Sequence, residues 1–322
     1  MTSAPNSSRR SWLSRHAMSL LALACLVAYA AFVEWQWGWG RLLLQWSRVG
    51  AGTAVAALSL LTATYFVRAQ RIYDYFPAET SGRFLQLFRL TQVHNLLNIM
   101  LPFRAGETSF PLLMRSQFAV PLTRATAALL VMRLLDLHAL CAAAGVGLVL
   151  GTRNTTVAWL AWSAFLVSPL VFFAAKGPIF RHLNGTLPQK LEKLLEEVEA
   201  GVPANAAGFV RAWAFTVLNW AVKVIVLAWV LALLGVTPLS ATFGGALGGE
   251  LSSVLPLHAP GGVGTYPAGI TAGAVAFGAG RDRAAVALMA EAAINAHLLI
   301  VASACVGTAL SIVLSWFSAK PR

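Results

Sequence analysis

The chain consists of long apolar segments that are separated by short polar ones. Six of the apolar segments are long enough to cross a bilayer, since a spanning helix needs about 17–25 predominantly apolar residues. They lie at residues 17–33, 49–67, 125–150, 155–175, 208–235 and 284–316. The first resembles a cleaved twin-arginine signal, but a retained helix with a basic flank is the simpler interpretation. The pattern predicts an all-α polytopic membrane protein with six spanning helices.

Two further apolar segments are interrupted, unlike a spanning helix. Residues 93–123 are interrupted at Leu101-Pro102, where charged side chains follow. Residues 243–278 are glycine-rich and are interrupted after Leu255. Irregular backbone is tolerated at membrane depth only where it is buried in protein or lines a polar cavity. Both segments are therefore predicted to be re-entrant helical hairpins that line such a cavity.

Composition supports a membrane protein and excludes several other classes. Of the 322 residues, 58% are hydrophobic and only 11% are charged, whereas soluble domains carry about 25% charged residues. The net charge of +12 fits topology and lipid contacts better than nucleic acid, because no long soluble segment is present to bind one. The cysteines Cys25, Cys141 and Cys305 lie inside apolar runs without metal-ligand spacing, and are read as packing residues.

The Lys and Arg residues predict the orientation, because cytoplasmic loops carry an excess of them. With both termini in the cytoplasm, sixteen of the 24 lie in cytoplasmic segments and five in outer segments. The cytoplasmic set includes Arg68 and Arg71, since residues 68–89 are predicted to be a loop. We therefore expect the end segments, the disordered residues 1–16 and residues 317–322, to be cytoplasmic tails.

Three crossings in each half require the two halves to be inverted relative to one another. The predicted repeats are residues 17–154 and 155–316. The second contains an amphipathic helix at 188–200 that is expected to pack on the cytoplasmic face, since its net acidic character does not suit a lipid surface. Inverted repeats with broken helices recur in transporters, and the substrate site then lies at the breaks.

Several polar residues lie inside the predicted spans. A charge at a helix centre costs about 2.5–3.5 kcal/mol on insertion scales, so such residues usually face a partner or a wet cavity. They occur in pairs at helical spacing, namely Arg133 with Asp136, Asn219 with Lys223, and Glu291 with Asn295. These pairs indicate either a lined headgroup cavity or an internal ion-pair network that only holds the helices together.

The two interruptions carry groups that suit an anion. Arg104 offers bidentate binding of a phosphate, and Glu107 is a counter-ion, a proton carrier or a helix cap. Gly261, Gly262 and Gly264 allow backbone conformations that expose successive N–H groups, as in an anion nest.

Further titratable residues lie near the interruptions. Glu250 is either a buried functional acid or an interfacial cap. His94 and His258 are read as packing or capping residues, and the orientation of His297 stays open. The chain has no Walker A, G-x-S-x-G, H-E-x-x-H or CxxC motif, so no cofactor or metal is expected and transport would be passive or ion-coupled.

The interruption residues resemble the membrane domain of lysylphosphatidylglycerol synthase, a flippase-like family. The resemblance covers residues 17–316 and rests on Asn95, Asn98, Leu101-Pro102-Phe103-Arg104-Ala105-Gly106-Glu107, Arg133-Leu134-Leu135-Asp136 and Pro260-Gly261-Gly262-Val263-Gly264. The family usually has a Glu two or three residues after the last glycine, whereas Tyr266 and Pro267 stand there in this chain. The resemblance implies movement of a lipid across the inner membrane, without aminoacylation.

The leading hypothesis is a lipid transporter or flippase whose central polar cavity takes a lipid headgroup. The lipid would be an anionic phospholipid, an isoprenoid phosphate or a hopanoid-type lipid, with its acyl chains left in the bilayer. The headgroup site is predicted to comprise Asn98, Arg104, Glu107, Arg133, Asp136, Lys223, Gly261, Gly262, Gly264, Glu291 and Asn295. In it the arginines bind phosphate and the carboxylates balance charge or carry protons, and a homo-oligomer is allowed.

Two alternatives belong to other classes. The first is an integral-membrane lipid phosphatase or transferase, for which Thr108 or Ser109 beside Glu107 would be the nucleophile, although no histidine is evidently placed to activate them. The second is a non-catalytic partner of an envelope lipid enzyme.

Overall fold

The computed structural model describes residues 6–150, 152, 154–183, 188–255 and 259–318, and within these ranges the chain is helical with no strand. The helices are α1 (Asn6–Gln36), α2 (Trp39–Val49), α3 (Ala51–Tyr75), α4 (Pro77–Thr80), α5 (Phe84–Met100), α6 (Ser109–Phe118), α7 (Leu122–Leu150), α8 (Thr155–Leu183), α9 (Gln189–Ala200), α10 (Ala206–Leu233), α11 (Leu239–Val254), α12 (Thr265–Ala276) and α13 (Arg283–Ser318).

Five of these helices, α3, α7, α8, α10 and α13, are long and apolar enough to cross a membrane. The apolar part of α1 within the described residues, Leu23–Gln36, is shorter. The prediction of an all-α polytopic membrane protein is confirmed, and five of the six predicted spans meet the length criterion. Helix α8 buries only 6% of its apolar window, as expected of a helix that faces lipid on most sides.

The predicted loop at residues 68–89 is wrong. Helix α3 continues to Tyr75, and α5 begins at Phe84, nine residues before the predicted hairpin. Arg68 and Arg71 therefore lie on a long helix, where Asn95 and Asp136 provide their hydrogen-bond partners. The linear pattern ended the predicted helix at the first charged residue, Arg68, although a neighbouring helix provides that residue with a hydrogen-bond partner.

Two short 3-10 segments each separate two consecutive helices, α5 from α6 and α11 from α12, and we call each such couple of helices a broken pair. The first break, Pro102–Thr108, lies between α5 and α6, and the second break, Pro260–Gly262, lies between α11 and α12. The two breaks contact each other. Gly106 allows the first break to fold back on α5, because a Cβ there would lie 2.5 Å from the backbone nitrogen of Asn98. The predicted break residues 256–258, including His258, lie outside the described residues.

Helices α11 and α12 pack through two facing pairs of glycines. Gly244 and Gly248 on α11 lie against Gly273 and Gly269 on α12, so that a Cβ on Gly244 would be 2.5 Å from the carbonyl oxygen of Gly273. Small residues at four-residue spacing let two helix backbones approach closely in an apolar environment. The glycine-rich composition of this segment therefore serves helix packing. The largest apolar core lies between this pair and helices α3, α10 and α13.

Two amphipathic helices complete the fold. Helix α2 is flanked by Gly38 and Gly50, both at positive φ, and buries Leu42 and Val49. The apolar pattern did not predict it. Helix α9 coincides with the predicted amphipathic helix at 188–200 and packs on α7, and Nε of Arg124 donates to the carbonyl oxygen of Ala200 over 3.0 Å at its end.

Candidate functional site

Charged residues from the first break and from helices α3, α7, α10 and α11 meet in one cluster, which we call the central cluster. It holds five cations and three carboxylates, of which all but Arg68 form ion pairs within the cluster, whereas Arg68 donates to Asn95: Arg68, Arg71, Arg104, Arg133, Lys223, Glu107, Asp136 and Glu250. Beside it lies a polar cavity of about 50 Å³. A cavity of this size holds a few water molecules, whereas ligand pockets usually measure about 300–1,000 Å³.

Asp136 contacts side chains of α3, α7 and α10 and so links three helices of the central cluster. Its side chain is 1% exposed, and its Oδ1 accepts from Nη1 of Arg71 over 2.6 Å and from Nε1 of Trp220 over 2.8 Å. Its Oδ2 lies 3.2 Å from Nη1 of Arg133. A buried carboxylate requires such partners, and helix spacing brings Arg133 to the same face as Asp136. The predicted pairing of these two residues on α7 is present.

Glu107 joins α7 to the first break. Its Oε1 lies 2.9 Å from Nε of Arg133 and also forms an ion pair with Arg104. Arg104, Glu107, Arg133 and Asp136 were predicted from separate segments, and the structure brings these four into one continuous network.

Arg104 connects the first break to the end of α11. It and Phe103 have left-handed backbone, with φ of 55° and 51°, a conformation that costs non-glycine residues free energy and clusters at functional sites. The resulting turn directs the guanidinium, which is buried, toward the end of α11. There Nη1 donates to the carbonyl oxygen of Ser253 over 2.6 Å.

A second ion pair lies on the other side of the cavity. Nζ of Lys223 is 2.9 Å from Oε2 of Glu250, and both side chains are buried. The hydroxyl of Tyr266 donates to Oε1 of Glu250 over 3.1 Å. Tyr266 is one of the two residues, with Pro267, at which the resemblance leads us to expect a carboxylate, and here it contacts a carboxylate that α11 supplies. Of the two interpretations of Glu250, an interfacial cap is wrong.

Several cavity residues were not predicted. Arg68 donates from Nη1 to Oδ1 of Asn95 over 2.6 Å and lines the cavity. Arg71 lies beside the cavity and donates from Nη1 to Oδ1 of Asp136 over 2.6 Å. His297 also lines the cavity. Arg68 and Arg71 are spaced i, i+3, as Arg133 and Asp136 are, so extending the helical pattern beyond residue 67 was the signal that would have found them.

The structure separates Glu291 and Asn295 from the central cluster. Glu291 forms an ion pair with Arg41 and accepts from Nε2 of Gln45 over 2.6 Å, and Asn295 donates to Oε1 of Gln45 over 2.7 Å. Both therefore face α2 rather than the cavity. Their spacing predicted a shared face correctly, but it did not say which neighbour that face contacts.

The remaining predicted residues lie around the cavity and the second break. Asn98 lines the cavity, and its Oδ1 is buried without a protein partner. Gly261 and Gly262 are buried with φ of 62° and 67°, whereas Gly264 is exposed with ordinary φ. A Cβ on Gly261 would lie 2.5 Å from Cδ2 of Tyr29, so this glycine is required for close packing of α1.

One histidine is placed next to a hydroxyl, contrary to expectation. Nδ1 of His94 lies 2.9 Å from Oγ of Ser109, and this hydroxyl also donates to the carbonyl oxygen of Gly106 over 2.6 Å. The expectation that no histidine is evidently placed beside Ser109 is therefore wrong. Both side chains are buried, at 4% and 2% exposure, and neither lines the cavity.

Comparison with known proteins yields one family. A family model described as "Lysylphosphatidylglycerol synthase TM region" matches residues 19–317. No curated protein and no solved structure matches the chain. The matched range contains both breaks and every helix of the central cluster.

Proposed function

The chain belongs to the lysylphosphatidylglycerol synthase TM family, and from this premise we propose that it moves the anionic headgroup of a membrane lipid across the bilayer through the central cavity. Membership supports a lipid-related function in a membrane. The choice of transport and of an anionic headgroup rests on the charges described above.

The observation that carries the proposal is the uncompensated cation Arg68. The central cluster has two more cations than carboxylates, and none of the ion pairs in the described part of the chain includes Arg68. Its Nε is buried without a protein partner. A charge inside a membrane protein is costly unless it is paired. A phosphate headgroup in the cavity would supply the missing negative charge and accept from Arg68 and Arg133.

The present cavity is too small for a headgroup, so the conformation described here is a closed one in this proposal. Opening requires the two breaks to separate. The hydrogen bond from Arg104 to the carbonyl oxygen of Ser253 links the first break to the end of α11, the helix before the second break. It is the contact that an incoming phosphate would replace.

Topology is part of the proposal. Each predicted repeat, 17–154 and 155–316, contains long helices followed by a broken pair and a further long helix, which supports inverted repeats with re-entrant hairpins in the bacterial inner membrane. Because Arg68 and Arg71 lie on α3 rather than in a cytoplasmic loop, fourteen basic residues remain in the predicted cytoplasmic segments, against five in the outer segments. The bias still favours cytoplasmic termini.

The test is lipid translocation in liposomes. Purified protein is reconstituted with labelled phosphatidylglycerol or phosphatidylcholine. The translocation rate of each lipid is then compared between the wild-type protein, Arg68→Gln and Arg41→Gln. Arg41 is a matched control because its 70% exposed side chain pairs with Glu291 away from the cluster. We expect phosphatidylglycerol to move fastest, Arg68→Gln to lose that preference, and Arg41→Gln to keep it. Movement no faster than in protein-free liposomes would refute transport, and equal movement in all three proteins would assign the charges a structural role.

The His94–Ser109 contact favours one second candidate, a lipid phosphatase or transferase. In it Oγ of Ser109 would bond to the phosphorus of a phosphomonoester while its proton, now donated to the carbonyl oxygen of Gly106, passes to His94 and the bond between phosphorus and the lipid oxygen breaks. His94 would then give the proton to the leaving lipid alcohol, and water would hydrolyse the phosphoserine to release phosphate. Release of phosphate from phosphatidic acid that is abolished by both His94→Gln and Ser109→Ala would support this candidate over transport. Absence of phosphate release, with translocation intact in Ser109→Ala, would exclude it.

A further inference from the structure

Tyr29 on α1 lies where one polar and two apolar spaces meet. Its ring contributes to both apolar clefts, of about 420 and 590 Å³. Its hydroxyl oxygen lies 3.1 Å from Nδ1 of His297, and His297 lines the polar cavity. Tyr29 is 8% exposed. Tyr29 and His297 together therefore lie between the polar cavity and the two apolar clefts.

The two clefts flank Tyr29 on different sides of α1. The larger one lies between α1, the end of α5 and the second break, and its wall includes Phe32, Met100 and Val263. The smaller one lies between α1, α2, α3 and α13, and its wall includes Trp46 and Leu298. Almost all of the lining surface is apolar. Clefts of this kind suit flexible hydrocarbon, because apolar surface gains nothing from polar partners and packs closely with chains that adapt to its shape.

We propose that these clefts bind the two acyl chains of a diacyl anionic lipid and that Tyr29 is the partition which the headgroup displaces to enter the cavity. This proposal rests on the proposed function and narrows its substrate class. A polar space with excess positive charge, separated from two apolar clefts by Tyr29 and His297, matches a lipid with one anionic headgroup and two chains. A lipid with a single isoprenoid chain would leave one cleft unused.

The contacts of the Tyr29 side chain explain why it can act as a partition. The ring packs against Gly261 of the second break, where a Cβ would lie 2.5 Å away, and edge-on against His297, with ring centroids 5.9 Å apart. One hydrogen bond and two ring contacts hold it. Removing the hydroxyl alone should shift the equilibrium between the closed and displaced positions by about two- to tenfold, since a hydrogen bond contributes about 0.5–1.5 kcal/mol net.

The first experiment reports on the partition without requiring transport. Ser253→Cys places a thiol at the cavity in a chain whose native cysteines are replaced by alanine, and a maleimide on the headgroup of a diacyl lipid reports its exposure from the bilayer. We expect Tyr29→Phe to raise the labelling rate about two- to tenfold, and Tyr29→Ala to raise it further. Tyr75→Phe is the matched control, because it removes a buried hydroxyl that has no protein partner on a different part of the protein.

Equal labelling rates in Tyr29→Phe, Tyr29→Ala and Tyr75→Phe would overturn the proposal. A labelling rate that falls as the protein density in the membrane rises would also overturn it, because a second copy of the chain would then cover the clefts. Faster reaction of a single-chain maleimide lipid than of the diacyl one would overturn the assignment of two chains. Failure of the wild-type protein to move any lipid would refute the proposed function alone, and the labelling would still decide whether Tyr29 closes the cavity.

Discussion

Nη1 of Arg104 in the first break donates to the carbonyl oxygen of Ser253, in the last turn of α11, over 2.6 Å. The last carbonyl groups of a helix have no partner within the helix, and a cation there is favourable to the helix dipole. The two residues are 149 positions apart in the chain. This contact therefore couples the broken pair of the first half to the broken pair of the second.

Arg104→Lys tests this coupling. A lysine keeps the charge but has no planar fork with which to contact Ser253 and Glu107 together. We expect unfolding stability in detergent to fall by about 1.5–3 kcal/mol, the contribution of a hydrogen bond to a charged group, and lipid movement to fall with it. Arg83→Lys is the control, since Arg83 also donates to a backbone carbonyl, that of Gln117, but is exposed. A similar loss of stability in both variants would show that the hydrogen bond between Arg104 and Ser253 is unimportant.

Asp136→Asn should be among the most destabilising single changes in the chain. Asparagine preserves the shape but leaves Arg71, whose side chain is 6% exposed, without its carboxylate. Breaking a buried ion pair costs about 3–5 kcal/mol. In Asp74→Asn the partner, Arg211, is 57% exposed and regains water, so a much smaller loss is expected. The comparison is made by chemical unfolding in mixed micelles, and a larger loss in Asp74→Asn would contradict the placement of Asp136 at the centre of the network.

Gly248→Ala should separate α11 from α12. A Cβ on Gly248 would meet the carbonyl oxygen of Gly269 and the Cα of Gly273, both of which are backbone atoms that cannot rotate away. We expect a lower midpoint of thermal unfolding. Gly52→Ala, where a Cβ meets nothing within 4 Å, should instead be neutral or stabilising by about 0.5–1 kcal/mol, because alanine loses less backbone entropy in a helix. Equal tolerance of both changes would refute the close packing of these helices.

Cysteine labelling tests the proposed orientation. Asn154→Cys lies just before α8 and Ala204→Cys just before α10, and both positions are exposed. In spheroplasts that express a chain without native cysteines, we expect an impermeant maleimide to label the first position directly and the second only after lysis. The opposite result would place the termini outside, against the excess of basic residues on the predicted cytoplasmic side.

Much of the fold follows from local properties of the chain. Apolar segments of spanning length became α7, α8, α10 and α13, because a backbone in lipid must satisfy its own hydrogen bonds and a helix does so within one segment. The breaks were predictable because Pro102 and Pro260 cannot continue a helix and Gly261 adopts a left-handed conformation. Arg133 and Asp136 share a face for the same local reason, the period of the helix.

Which charges meet was decided only by tertiary structure. Arg68 and Arg71 looked like loop residues until α5 and α7 provided Asn95 and Asp136 as partners. The pair Glu291 and Asn295 has the same spacing as the residues of the cluster but faces α2. Helical spacing fixes the relation between side chains on one helix, whereas the free energy of burying a charge depends on the neighbouring helices, and their positions are set by packing between segments far apart in the chain.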